Sequence, residues 1–290
     1  MPKDFNTTSV ALAVITYYPL WYAGKLKNIA DTEKVRGDLA LEFIRKATEK
    51  KYIVVMVDGG SSEIFLKQFA KFSYIIIDTM HIKKRSPKKQ RAFVIASKLP
   101  GVKAIVSVEA EKVGFIDSLP QLARPLVTNE TDIVVPKREI ELFKESYPDF
   151  QFISETQANK EYNATLIEHN LLPENHEDLD ILFGPVAFRN SPEIVKLFLQ
   201  RVKFRKYEDG IFPSVFHDPD QYSNAYFFPT IMALQKNMRV KSVSIPFRYP
   251  KIQRENEEQG NKEEFIEKRK LQSEGILSNL HDFLRFKLKE

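Results

Sequence analysis

The sequence predicts an α/β protein with a mostly parallel central sheet, helices on both faces and a C-terminal helical extension. Three observations carry this expectation. Apolar runs (VALAVI, IVVMV, YIII and AIVSV) recur through the first 110 of 290 residues. Segments with apolar residues at helical spacing separate them over short links, as crossover connections between parallel strands require. The runs also end in polar or acidic residues, and ligands of such sheets sit beyond the strands' carboxyl ends.

In chain order, Val10 to Ile15 reads as a buried strand ending at Thr16, Tyr17, Tyr18 and Pro19, where proline stops regular pairing. Thr32 caps a predicted helix through Lys51, with Val35, Leu39, Leu41, Phe43, Ile44 and Ala47 near 3.6-residue spacing. The strand Ile53 to Val57 follows, then a short helix from Ser62 to Phe72 that aligns Ile64, Phe65, Phe69 and Phe72. Tyr74 to Ile77 is a third strand, ending in Asp78. After a basic stretch, Arg91 to Lys98 reads as helix. Ala104 to Val108 is a fourth strand, ending in Glu109, Ala110 and Glu111.

Composition limits the function classes. Charged residues make up 29% and hydrophobic ones 43%, the balance of a soluble globular chain with ample core material. No apolar run approaches the roughly 20 residues that span a bilayer, and MPKDFNTTS lacks the form of a secretory signal. A cytoplasmic location is expected. With no cysteine, thiolate metal sites, disulfides and thiol nucleophiles are excluded, so any metal is held by oxygen or imidazole. A net charge of +5 is too modest for an extended nucleic-acid footprint, and no such partner is expected.

Parallel strands share a direction, so Thr16, Asp58, Asp78 and Glu109 are expected along one sheet edge, facing one cleft. The alternative is that each acid merely caps the following turn or helix. Asp58 opens VDGGSS, in which Gly59 and Gly60 offer backbone N–H groups to a nucleotide. About fifty residues later, VEAEK places Glu109 and Glu111 one residue apart after a strand.

These two stretches resemble the GT-A fold glycosyltransferases, the family-2-like, Rossmann-like enzymes that use nucleotide-diphosphate sugars. Their strand-end D-G-G-S turn is similar to VDGGSS, and the resemblance implies that Asp58 contacts the nucleoside. Their D-x-D motif, which holds a divalent metal and the sugar diphosphate, is replaced here by Glu109 and Glu111. The resemblance therefore implies a Mg²⁺ or Mn²⁺ cofactor on those glutamates, bridging the phosphates as the leaving group gains charge. It also divides the chain into a single domain over 1–260, with a nucleotide-sugar-binding half at 8–140 and an acceptor half at 141–260, followed by an amphipathic helix at 261–290.

The basic run HIKKRSPKKQR, from His81 to Arg91, lies where the resembled fold contacts donor phosphates. A solvated loop and a nucleic-acid patch are the competing readings. Arg91, taken as the start of an apolar helix, is the foremost diphosphate candidate, and Lys83 and Arg85 follow. Tyr17, Tyr18 and Trp21 read either as an aromatic wall for a base or sugar or as a small apolar core. Arg36 pairs with Asp38 or reaches a phosphate. His81 and His217 read as surface or structural histidines.

The second half is less regular. Leu126 to Pro136 is a turn and a strand, Lys137 to Tyr147 a charged helix, and Asn159 to Asp180 a polar helix and loop. In DILFGPVAFR, Gly184 and Pro185 break an apolar strand, and the resemblance implies acceptor contacts near Gly184. Asp180 is the candidate general base, with Asp209, Asp218 and Asp220 as competitors. Ala225 to Gln235 reads as helix and Val240 to Pro246 as a half-exposed strand. FRYPKIQRENEE at 247–258 is expected to close over the donor, bringing Arg248, Tyr249 and Gln253 to it. From Lys262 a long charged helix carries Phe265, Ile266, Ile276, Leu277, Leu280, Phe283, Leu284 and Phe286, packed on the body or serving as a homodimer contact.

The expected activity is glycosyl transfer, of hexosyltransferase type, from a nucleotide-diphosphate donor to a small, unidentified acceptor. A catalytically silent binding protein and a sugar nucleotidyltransferase are the alternatives, although TYYPLW stands where the latter carry a glycine-rich loop.

Overall fold

The computed structural model describes residues 5–204, 207 and 210–285. Its core is a seven-stranded sheet of order β3-β2-β1-β4-β6-β5-β7. The strands are β1 (Val10–Thr16), β2 (Ile53–Asp58), β3 (Ile75–Thr79), β4 (Ala104–Ser107), β5 (Ile133–Arg138), β6 (Val186–Arg189) and β7 (Val240–Ile245). Only β6 runs against its neighbours β4 and β5. Every other pairing is parallel, as the sequence predicts.

The helices in chain order are α1 (Thr32–Glu49), α2 (Glu63–Lys67), α3 (Arg85–Ser97), α4 (Leu119–Val127) and α5 (Ile140–Ser146). They continue with α6 (Asp149–Glu168), α7 (Pro192–Leu199), α8 (Phe227–Gln235), α9 (Lys251–Glu255) and α10 (Lys262–Arg285). Successive side chains of β1 face opposite sides, so Ala11 and Ala13 enter one core while Val10, Leu12 and Val14 enter the other. Both faces are therefore covered, which explains the uninterrupted apolar runs.

Three departures from the sequence reading bear on the site. First, α3 begins at Arg85, six residues before the expected start at Arg91. Pro87 sits in its first turn, where the missing N–H costs nothing, so the basic run forms the amino end of a helix. Second, α6 extends from Asp149 to Glu168 through a stretch expected to be partly irregular. Its buried residues include Gln151, Glu155, Asn163 and Thr165, which erase the apolar periodicity. Third, the expected closing segment is α9 followed by a π-helical turn, Asn256–Gly260. It is pinned at the start of α1, where Asn256 donates to the Ile29 carbonyl at 2.6 Å.

The apolar face of α10 packs on its own body. Phe283 stacks on Phe228 with centroids 4.5 Å apart, and Asn279 donates to the Phe216 carbonyl at 3.2 Å. Among the described residues no helix is long and apolar enough to cross a membrane. Phe286 and Asp209 lie outside the described residues.

Candidate active site

The chain winds from β1 through β2 to β3 on one side, then places β4 on β1's other side. Between β1 and β4 the winding reverses, and such a switch point opens a crevice beyond the carboxyl ends of the two strands. Because β6 runs the other way, its amino end and Gly184 reach the same edge. Gly184 has φ +96°, and a Cβ there would lie 3.0 Å from Glu109 Oε1. The reversal at Gly184 thus sets the backbone directly against the Glu109 carboxylate.

Two connected cavities occupy this crevice. The outer one, about 340 Å³, is lined by Thr16, Tyr17, Lys83, Lys88 and Lys89. The inner one, about 90 Å³, is lined by Lys112, Gly184, Gln253, Lys268 and Arg269. Arg36, Arg85, Glu109, Glu111 and Tyr226 line both and form the waist between them. The outer volume suits a drug-sized molecule, for which sites of roughly 300–1,000 Å³ are usual. The inner one admits a single small group.

At the waist, Glu111 Oε1 accepts from the Tyr18 hydroxyl at 2.8 Å and meets Arg36 Nη2 at 2.6 Å. Burial pushes its carboxyl up, but Arg36 and the Tyr18 bond outweigh it and leave the group below the usual range. Glu109 Oε1 accepts from the Tyr226 hydroxyl at 3.0 Å, and Lys112 Nζ stands 3.6 Å from Oε2. Burial raises the Glu109 carboxyl too, while Lys112 and Lys89 lower it further. Glu109 Oε2 is nevertheless buried without a hydrogen-bond partner.

The amino end of α3 supplies most of the outer cations. Lys89 donates to Ser107 Oγ at 3.0 Å and to the Val108 carbonyl at 3.1 Å, and burial lowers its ammonium to about 8. Lys88 Nζ lies 5.6 Å from the Tyr17 ring centroid. A Cβ on Gly59 would come within 2.6 Å of that ammonium, so Gly59 makes room for Lys88. Tyr17 is 58% exposed and presents its ring to the outer cavity.

Several expected site residues have other work in this geometry. Asp58 is completely buried and accepts from Thr16 Oγ1 at 2.7 Å, Gly60 N at 2.7 Å, Ser61 N at 2.8 Å and Ser61 Oγ. Its two oxygens therefore use about four acceptor positions inside the turn. Gly59 N donates to the Thr16 carbonyl and Ser62 N to Tyr18, so the amides at 59–62 are also taken. VDGGSS fastens the ends of β1 and β2, and its role is the structural one that capping predicts.

Arg91 pairs with Asp78 at 2.6 Å, half exposed and away from both cavities, because α3 starts one and a half turns earlier than expected. Asp180 is buried between Arg138 and Asn159, accepting from Arg138 N, Nε and Nη2 at 3.0, 2.7 and 2.7 Å. That leaves it no approach to an acceptor hydroxyl, so its place as general base is corrected to an ion-pair partner. Arg248 points to Glu145 on the surface at 2.9 Å, since the turn after β7 directs it away from the cleft. Asp218 holds Lys84, and Asp220 holds Arg201 and Asn224. Arg36 ignores Asp38, which pairs with Lys34 and accepts from Trp21 Nε1.

Sequence reasoning missed Tyr226, Lys268 and Arg269. A signal for the last two exists: Phe265, Lys268, Arg269, Gln272 and Ile276 recur at helical spacing, so the basic pair interrupts the buried stripe of α10.

A divalent cation does not match the donors at the waist. Glu111 is matched by Arg36, Glu109 by Lys112 and Lys89, and no group of three acidic or histidine ligands is gathered among the described residues. A dication there would face fixed positive charges on several sides, Lys112 Nζ standing 3.6 Å from the one oxygen of Glu109 that accepts no hydrogen bond.

No protein-family model and no curated protein matches the chain. Among solved structures, it is similar to the 4-diphosphocytidyl-2C-methyl-D-erythritol synthase of Anaerococcus prevotii (TM-score 0.43, 11% identity, 90% of this chain and 95% of that one). It is also similar to residues 1–349 of S. aureus TarS (TM-score 0.41, 13% identity, 82% and 59%). A third is a candidate nucleotide-diphospho-sugar transferase of Desulfovibrio desulfuricans (TM-score 0.41, 9% identity, 82% and 80%). Likeness at this level is slight.

Proposed function

We propose that the protein binds a nucleoside-diphosphate sugar across the two cavities and transfers the sugar to a small hydroxyl acceptor. The observation that supports this most is the convergence of Arg36, Arg85, Lys88 and Lys89 on the switch-point crevice, directly beside the carboxylates of Glu109 and Glu111. A diphosphate needs several fixed cations, and the amino end of α3 supplies Arg85, Lys88 and Lys89. Tyr17 offers a face on which a base can stack.

In this reading the base and the sugar lie in the outer cavity, and the diphosphate reaches through the waist toward the inner one. Transfer breaks the anomeric C–O bond, whose electron pair stays on the diphosphate. The acceptor oxygen forms the new bond, and its proton passes to Glu109 Oε2, the carboxylate oxygen that accepts no hydrogen bond. Arg36 and Arg85 stabilise the charge that develops on the leaving group.

Thermal unfolding with UDP, GDP, CDP and ADP sugars tests the reading. At a ligand concentration about 100 times Kd, stabilisation of roughly 2.7 kcal/mol is expected for the matching nucleotide. An unchanged transition with all of them refutes it.

A further inference from the structure

Resting on the nucleotide-sugar reading, we propose that the waist is a metal-independent diphosphate site, in which Arg36, Arg85, Lys112 and Lys268 supply the charge a divalent cation would otherwise carry. Across the two cavities nine lysines and arginines line the walls against five glutamates. Most of the acids already have cationic partners. Arg36 matches Glu111, Lys112 matches Glu109, and Arg138 and Arg269 flank Glu155. Glu257 lies 3.6 Å from Arg269 and accepts from Tyr249.

Lys83, Lys88 and Lys89 line the outer cavity alone, and of the cations on the inner wall Arg85 and Lys268 remain. Arg85 lies over the Tyr222 ring at 5.1 Å, and Lys268 Nζ is 5.3 Å from the Phe265 centroid. Aromatic faces attract a cation but leave its charge unneutralised. Both side chains line the inner cavity, and neither has a carboxylate partner there. They come from separate elements, Arg85 from α3 and Lys268 from α10, so two cations without carboxylate partners line the one cavity. Arg36 Nε and Arg269 Nε are buried donors without acceptors on the same wall. One small anion with several oxygens would answer all of these unmet demands, and an inner cavity of about 90 Å³ matches a phosphoryl group better than a nucleoside.

The positions also explain why the glutamates are not wasted. Held by Tyr18 and Arg36, Glu111 fixes the guanidinium in place, and Glu109 fixes Lys112. An anion then meets cations whose orientation was settled in folding, without reorganisation.

Pyrophosphate titrated calorimetrically into the full chain in EDTA buffer is the test, with a parallel titration in excess Mn²⁺. Binding in EDTA, no tighter with Mn²⁺, is expected. Arg85→Gln and Lys268→Met should each weaken it roughly tenfold or more, as loss of a charge-assisted contact implies, and Lys268→Arg should restore most of it. Added salt should weaken binding less than for an exposed site, because the charges are enclosed. The proposal is overturned if pyrophosphate binds only with Mn²⁺, if it does not bind at all, or if both substitutions leave its affinity unchanged. The two EDTA and Mn²⁺ arms need no variant, so a substitution that fails to fold does not leave the question open. Nucleotide sugars that bind only with Mn²⁺ overturn metal independence and leave the donor reading standing. Pyrophosphate binding in EDTA with no response to any nucleotide sugar does the reverse.

Discussion

Glu109 and Glu111 are separated by one residue, yet their surroundings assign them different work. Glu111 spends one oxygen on Tyr18 and Arg36, whereas Glu109 keeps Oε2 buried and free of hydrogen bonds. Glu109→Gln keeps the shape and removes the base. It should lower the transfer rate by roughly 10²–10⁴ while donor affinity, read by titration, changes little. An unchanged rate would remove Glu109 from the chemistry. Lys268 gives a pH signature. Burial, with Arg36, Arg269 and Arg85 nearby and Glu257 opposing them, lowers its ammonium to about 7. A bound diphosphate favours the charged form, so below about pH 7 affinity should be flat. Above it, binding must take up a proton, and affinity should fall by up to about tenfold per unit until the ordinary lysine range near 10.4 is reached. Titrations in buffers of different ionisation enthalpy should show that uptake, and Lys268→Arg should abolish it.

Among the elements, the carboxyl end of β5 carries a buried ionic cluster that packs α6 to the sheet. Arg138 joins Asp180 and Glu155 at 2.7 Å and lies 3.5 Å from the Phe143 centroid. Asp180→Ala leaves the buried guanidinium with Glu155 alone and should cost about 3 kcal/mol of stability by denaturant unfolding. A loss of transfer with unchanged stability would return Asp180 to the catalytic machinery. Burial pushes the Asp180 carboxyl up, but Arg138 more than offsets this and holds it below the usual range. The unfolded chain therefore takes up the proton first as pH falls. This contribution to stability is full above about pH 4 and disappears as pH drops through the lower folded value. Asp132, lowered to about 2 by Arg239 and Arg189 against the cost of burial, adds a second loss over the same acid range.

At the level of the whole molecule, a sequence with no cysteine and ordinary composition disclosed much of its plan. Strands β1, β2 and β4 were legible because both their faces are buried, so every position before the last had to be apolar. The reversed direction of β6 was not, because it is set by the turn at Gly184 rather than by any periodicity. Helix α6 was obscured by the polar groups it buries. The edge carrying Glu109 and Glu111 followed from strand order alone. Which cation faced it did not: the phase of α3 depends on where Pro87 lets the helix begin, and that exchanged Arg91 for Arg85. Lys268 lies more than 150 residues further along and enters only through the docking of α10, a contact no local pattern encodes.

The central claim is that the crevice between β1 and β4 binds a nucleoside-diphosphate sugar through the cations at its waist. Calorimetric titration of the nucleotide sugar selected by thermal unfolding, into the native chain and into Arg85→Gln, tests it most directly. Saturable one-to-one binding that weakens roughly tenfold or more in the variant, with its unfolding transition unchanged, is the predicted result. Equal affinity in the two proteins, or no binding by any nucleotide sugar, contradicts the account.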